Sequence, residues 1–352
     1  MKEILLSICI PTYNRAEIVY QCVKQCLEIE SDQIEVVVND NCSTDNTKAL
    51  LGDIKDERFC YYCNDSNIGY PNFSVALKKA KGKYALLLSD EDDIINLNLE
   101  ETIKQLADAK GTAVFQCEYY DEFGNRLLSG PPERFEGDTG RIYCYTLCYF
   151  AYAGALIINT EILERVWDRI DKEGVLWKLY PHSVIAEYCV QEGALDKFNK
   201  FQIRRSDRNI KGTLDTKSWN GGGVEPYWTM GARKEQCEAW IKMFAAMKLD
   251  VEKLNRIYLE ILVQWARHVV RYRHLLKNEL YKDEILYIKR KDIVEKDLKM
   301  KKIEWFKMFF GTRNYLKKLE NEYLKKRGSR LVFDKVHYKR MVREVIKLIK
   351  NM

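Results

Sequence analysis

Residues 4–30 read ILLSICIPTYNRAEIVYQCVKQCLEIE, and the architecture follows from this stretch. The run 4–10 is apolar and β-prone, and it stops at Pro11 and the turn-prone Asn14. From Ala16 to Glu30 apolar side chains recur at helical spacing: Ile18, Val19, Cys22, Val23, Cys26 and Leu27. A strand feeding directly into an amphipathic helix opens an α/β unit. The alternation continues with a strand at 34–40 (IEVVVND), a helix at 47–54 and a strand at 59–63 (FCYYC). A helix at 72–80 and a strand at 84–89 (YALLLS) complete it. This order predicts an α/β fold with a mostly parallel sheet and helices on both faces.

In such sheets ligands bind beyond the carboxyl ends of the strands. The polar clusters fall at those ends: PTYNR at 11–15, NDNCSTD at 39–45 and DEDD at 90–93. Four consecutive acids repel one another, so something must offset their charge. A hard divalent cation, Mn²⁺ or Mg²⁺, would do so, because such metals favour oxygen ligands. A solvated turn capping the next helix is the alternative, since the first helical turn welcomes carboxylates.

The 352 residues suffice for a large core, and 46% apolar with 31% charged residues describes a globular protein. A net charge of +6 is too mild to point to nucleic acid. The N-terminal apolar run is short and broken by Ser7 and Pro11, unlike a signal peptide, and no stretch reaches the roughly 20 apolar residues of a membrane span. Eleven scattered cysteines without paired CxxC sets read as buried free thiols of a cytoplasmic protein.

The order SICIPTYNRAE, VVVNDNCSTDNT, NIGYPNFSVALKKAKGKY, LLLSDEDDII resembles the N-terminal half of family 2 glycosyltransferases, which have the GT-A fold. The blocks GALIINTEIL (154–163) and YPHSVIAEYCVQEG (180–193) resemble the bacterial surface-polysaccharide branch, abequosyltransferase-like enzymes among them. The resemblance implies a nucleotide-sugar donor, most often a UDP-sugar, and a saccharide or lipid-linked acceptor in capsule or O-antigen synthesis. It puts Pro11, Thr12, Tyr13 and Arg15 at the nucleoside pocket, Asp40 on the base, and Asn67 and Gly69 over base and ribose. Asp90 and Glu91 fall at the donor. Asp92 is the favoured metal ligand, with Asp90 and Asp93 as alternatives because the motif departs from the commoner D-S-D-D.

These enzymes invert the anomeric centre, and their base is usually an Asp at a helix start about a dozen residues before a Gly. Counting back from Gly193 gives Pro181 and His182 instead. His182 is a chemically adequate base, with Glu187 as runner-up, and a helix-start histidine that orders the acceptor loop is the bland reading. Arg204, Arg205 and Arg208 could pair with the diphosphate or form a solvated basic loop. Trp219 and Trp228, flanking three glycines, suit an acceptor lid or two core tryptophans.

Composition divides the chain into a catalytic domain at 1–234 (nucleotide-binding half about 1–115, acceptor half about 116–234) and a basic helical domain at 235–352. Helices are expected at 253–278, 281–310 and 335–350. Three readings stand for the basic helices: a solvated subdomain, a homodimer interface, or peripheral association with the anionic inner leaflet through 301–313, where Trp305, Phe306, Phe309 and Phe310 alternate with lysines. Two other functions stay open, a nucleotidyltransferase of similar fold and a degenerate carbohydrate-binding scaffold. The first would carry a glycine-rich loop after the first strand, which PTYNRAE lacks.

Overall fold

The computed structural model describes residues 3–137, 139–150, 153–174, 181–206, 229–277 and 297–350. The chain forms two compact units, residues 1–223 and 224–352. This boundary precedes the division at 234/235 drawn from composition. Composition follows charge, whereas the fold follows the helix start, and the first helix of the second unit already begins at Met230, capped by Thr229.

In the first unit β1 (Leu6–Thr12), β2 (Ile34–Asp40), β3 (Phe59–Cys63) and β4 (Tyr84–Leu87) pair in parallel, in the order β3-β2-β1-β4. They alternate with α1 (Ala16–Leu27), α2 (Thr47–Gly52) and α3 (Asn72–Lys78). Every residue of β1, β2 and β4 is buried, as strands covered on both faces must be. The apolar stripe of α1 buries Val19, Cys22, Val23 and Cys26 in the same core as Ile8, Ile10, Val36 and Val38. Each large aliphatic side chain so buried contributes about 1.5–3 kcal/mol.

Beyond β4 the sheet is mixed. β8 (Leu156–Asn159) lies antiparallel to β4, followed by β6 (Thr112–Tyr120), β9 (Ala194–Arg205) and β5 (Asp92–Ile95), with β7 (Arg126–Leu128) beside β6. The helices here are α4 (Leu99–Asp108), α5 (Thr139–Tyr149), α6 (Thr160–Glu173) and α7 (Pro181–Cys189). Asp92 and Asp93 open β5, opposite Arg205 and Arg204 of β9. They do not cap a helix. The cap of α4 is Asn98, whose side-chain oxygen accepts from Glu101 N at 3.1 Å.

The second unit is helical: α8 (Met230–Ala246), α9 (Val251–Lys277), α10 (Lys302–Lys325) and α11 (Lys335–Lys350). α10 replaces the described part of the helix expected over 281–310. It starts only at Lys302, where the Glu304 carboxylate accepts from Lys301 N at 2.6 Å. Trp305 and Phe309 are core residues of this unit, 3% and 1% exposed, with Trp305 against Tyr272 at 5.9 Å between ring centroids. The segment 301–313 therefore does not present its aromatics together on one outer face. α11 is fastened to α9 by Arg340, which donates to both oxygens of the buried Glu260 at 2.5 and 2.8 Å. Among the described residues no helix is long and apolar enough to cross a membrane.

Candidate functional site

Strands β1, β2 and β3 end flush. Thr12 lies opposite Asp40, and Asn41 N donates to Thr12 O at 2.9 Å. Beyond this edge is a cavity of ≈ 180 Å³. The loop after β1 lines it with Pro11, Thr12, Tyr13 and Arg15, and the loop after β4 with Ser89, Asp90 and Glu91. Asn41 contributes from the end of β2, and Asn67, Gly69, Tyr70, Asn72 and Phe73 form the remaining wall. The sequence readings for 11–15, 67, 69, 90 and 91 thus meet in one place.

The acids at 90–93 divide between two environments. Asp90 accepts from Arg15 Nη1 at 2.8 Å through Oδ1 and from Thr12 Oγ1 at 2.7 Å through Oδ2. Glu91 accepts from the same Arg15 nitrogen at 3.2 Å. Asp92 lies behind the wall, fully buried, accepting from Tyr119 OH at 2.8 Å and packed under Gly154, where no Cβ would fit. Desolvation, helped by the neighbouring Glu91 charge, raises its pKa well above the usual carboxylate range, against the pull of Tyr119. Asp93 pairs with Arg204 at 3.4 Å. The self-repulsion is therefore met inside the chain by Arg15, Arg204 and the burial of Asp92.

Among the described residues no group of three or more His, Cys, Asp or Glu side chains forms a cation cage. The donor set on the cavity side still fits a divalent ion. Asp90 and Glu91 direct hard oxygens at one point, now held by an Arg15 nitrogen, and a shared metal needs only one or two protein carboxylates beside its phosphates. Asp92, favoured from the sequence, is not among the residues that line the cavity and instead accepts from Tyr119.

Asp40 is likewise not among the residues that line the cavity. Its Oδ1 accepts from Ser43 N at 2.9 Å and Ser43 Oγ at 2.5 Å, and its Oδ2 accepts from Tyr61 OH at 2.7 Å. It anchors the loop after β2 instead of lining the pocket. Its neighbour Asn41 was not singled out from the sequence, yet it lines the cavity and ties down the opposite wall. Its Nδ2 donates to Asn67 Oδ1 at 2.8 Å and Gly69 O at 3.2 Å, while its Oδ1 accepts from Ile68 N at 2.9 Å and Asn64 Nδ2 at 3.0 Å. Nothing in the local sequence separates the two, since Asn41 lies just past the end of β2.

Neither candidate base lines the cavity. His182 occupies the first turn of α7, 4% exposed, with its ring 5.8 Å from that of Phe73, which forms the wall. Glu187 is buried deeper along α7 and accepts from Thr146 Oγ1, and desolvation raises its pKa well above the usual carboxylate range, against the pull of that hydrogen bond. Arg204 and Arg205 sit at the end of β9, paired with Asp93 and with Glu122 at 3.3 Å. Arg208, Trp219 and Trp228 lie outside the described residues.

Comparison with known proteins bears on the transferase reading of the first unit. Residues 7–167 match the profile of glycosyl transferase family 2, which spans the cavity-forming loops. The chain carries a family 2 glycosyltransferase domain. The transferase domain is 29% identical over 177 residues, 49% of this chain and 68% of the other, to the Escherichia coli UDP-Glc:alpha-D-GlcNAc-diphosphoundecaprenol beta-1,3-glucosyltransferase WfaP. It is 25% identical to abequosyltransferase RfbV of Salmonella typhimurium, over 51% of this chain and 60% of that protein. In fold the chain is similar to residues 1–349 of S. aureus TarS solved with UDP, at a TM-score of 0.53 and 16% identity, covering 94% of each. The GT-A architecture of the transferase domain thus agrees with the expected fold.

Proposed function

We propose that the protein transfers a sugar from a nucleoside-diphosphate sugar, of the UDP class, to a hydroxyl of a saccharide or lipid-linked saccharide during bacterial surface-polysaccharide assembly, with inversion at the anomeric carbon. One observation carries the reading: Asp90 and Glu91 converge on a single point in the wall of a cavity at the carboxyl edge of the sheet. The other walls are neutral amides, backbone and aromatic rings, suited to a nucleoside. The relatives' names, which specify UDP-Glc and a diphosphoundecaprenol acceptor for one of them, support the same class.

In this reading Asn41 holds the 64–69 loop against the base and ribose, and Tyr13 and Phe73 supply apolar walls. Asp90 and Glu91 would hold Mn²⁺ or Mg²⁺ beside the donor, and Arg15, which bonds both carboxylates, would offer its guanidinium to the diphosphate. A bound divalent cation offsets the charge of the departing nucleoside diphosphate. The buried free thiols of Cys9 and Cys26 fit a cytoplasmic protein.

A thermal-shift panel of UDP, GDP, CDP and dTDP, each with and without Mn²⁺ or Mg²⁺, tests this. A ligand at a hundredfold excess over its dissociation constant stabilises the folded state by about 2.7 kcal/mol. Metal-dependent stabilisation by UDP is expected in the wild type and lost in Asp90→Asn and Glu91→Gln. No shift with any nucleotide would overturn the reading. UDP-dependent stabilisation without any hydrolysis of UDP-sugars would instead leave a binding module.

A further inference from the structure

Helix α11 carries a second apolar stripe that is exposed among the described residues. Met341 and Leu348 face inward, 7% and 0% exposed, and Arg340 and Glu344 fasten the same side to the bundle. Tyr338, Val342, Ile346 and Ile349, at spacings of four, four and three, form a separate line along the outer face, 62%, 37%, 44% and 52% exposed. Such spacing keeps side chains on one helical face, here over roughly 16 Å of axis. A solvated helix has no use for four large apolar residues in a row, and isolated exposed ones are ordinary only when scattered.

The charge beside the stripe selects its partner. Lys335, Lys339, Arg343, Lys347 and Lys350 are all exposed, and the only acid in α11, Glu344, is turned inward. At 100° per residue, Lys339, Lys350 and Arg343 fall along one side of the apolar line, next to Ile346. An apolar band bordered by a basic band is the arrangement that lies in a lipid headgroup layer, with the apolar side chains at the acyl boundary and the cations on phosphates. A protein partner or a second copy would set this basic border against itself unless it brought matching acids, and α11 offers none on that face.

We propose that the outer face of α11, centred on Val342 and Ile346, docks the protein on an anionic lipid surface. The docking segment is therefore the last helix, not residues 301–313, whose Trp305 and Phe309 are spent on the core. Each basic residue near an anionic surface is worth about 1 kcal/mol, or roughly a fivefold change in partitioning. The measurement needs neither donor nor acceptor, so its outcome is separate from that of the transferase reading.

The full chain is sedimented with phosphatidylcholine vesicles and with vesicles containing 30% phosphatidylglycerol (about one lipid in three, enough for a strong surface potential). Binding is expected only to the anionic vesicles and should weaken at high salt. Val342→Ser/Ile346→Ser is expected to reduce partitioning at least tenfold, and Lys339→Gln/Arg343→Gln/Lys350→Gln on the order of a hundredfold. Because all five side chains are exposed, unchanged melting curves should certify the fold. The proposal is overturned if the wild type ignores anionic vesicles, or if the variants bind as the wild type does. It is equally overturned if light scattering finds a dimer that Val342→Ser/Ile346→Ser converts to monomer with vesicle binding unchanged.

Discussion

Gly154 stands directly over Asp92, so close that a Cβ at residue 154 would collide with the Asp92 carboxylate. The carboxyl is fixed from the other side by Tyr119 at 2.8 Å and has no solvent to move into. Gly154→Ala should therefore cost about 1–3 kcal/mol, the usual penalty for overpacking. Scanning calorimetry should register it as a lowered melting temperature of the transferase domain. Asp92→Asn, which keeps the shape and can still accept from Tyr119, should retain metal-dependent nucleotide binding. If Asp92→Asn loses that binding as fully as Glu91→Gln does, Asp92 is a ligand after all.

Asn41 holds the 64–69 wall through two donated and two accepted hydrogen bonds. A carboxylate can accept but cannot donate, so Asn41→Asp leaves Asn67 Oδ1 and Gly69 O facing a negative charge. Losing such partners costs about 1–3 kcal/mol. Titration calorimetry should show nucleotide affinity reduced by roughly tenfold or more, 1.4 kcal/mol per decade. An unchanged dissociation constant would show that the loop orders itself without Asn41.

His182 sits behind Phe73, one side chain removed from the cavity. As a support for that wall, His182→Gln should lower kcat by less than about tenfold and leave the pH–rate profile in place. Loss of a histidine acting directly as general base should cost about 10²–10⁴-fold and remove an ionisation from that profile. Steady-state rates between about pH 5.5 and 8.5 separate the two, since that window brackets an unperturbed imidazole.

Glu320, on α10, is fully buried, and among the described residues neither carboxylate oxygen has a hydrogen-bond partner. Desolvation raises its pKa well above the ordinary value, against the opposing charges of Lys317 and Arg313. The folded chain thus keeps a proton that the unfolded chain releases. Its stability is fully present below the unfolded pKa and falls as pH rises toward the folded pKa, by up to about 1.4 kcal/mol per pH unit. Glu320→Gln removes this dependence. Urea unfolding should find Glu320→Gln more stable than the wild type, by more at pH 8 than at pH 5. A gap that narrows with rising pH would mean the carboxylate is ionised and paired in the fold.

The sequence by itself determined the α/β order, the parallel half of the sheet and the convergence of three polar loops. Buried parallel strands must be continuous apolar runs, and those runs end where ligands bind, so 4–10, 34–40 and 84–89 announced the edge at which Thr12, Asn67, Gly69 and Asp90 meet. Start signals in α7 and α11 were legible for the same local reason, since Pro181 and Lys335 open their helices where expected. Tertiary structure alone decided which neighbour in each polar cluster faces the cavity. Asn41 and Asp40 differ by one residue, as do Glu91 and Asp92, yet only Asn41 and Glu91 line the cavity. Which of each pair points inward depends on partners far away in the chain, Tyr61 for Asp40 and Tyr119 with Gly154 for Asp92. The same holds in the second unit, where burial of Trp305 and Phe309 and exposure of Val342 and Ile346 follow from how the helices pack, which no local pattern specifies.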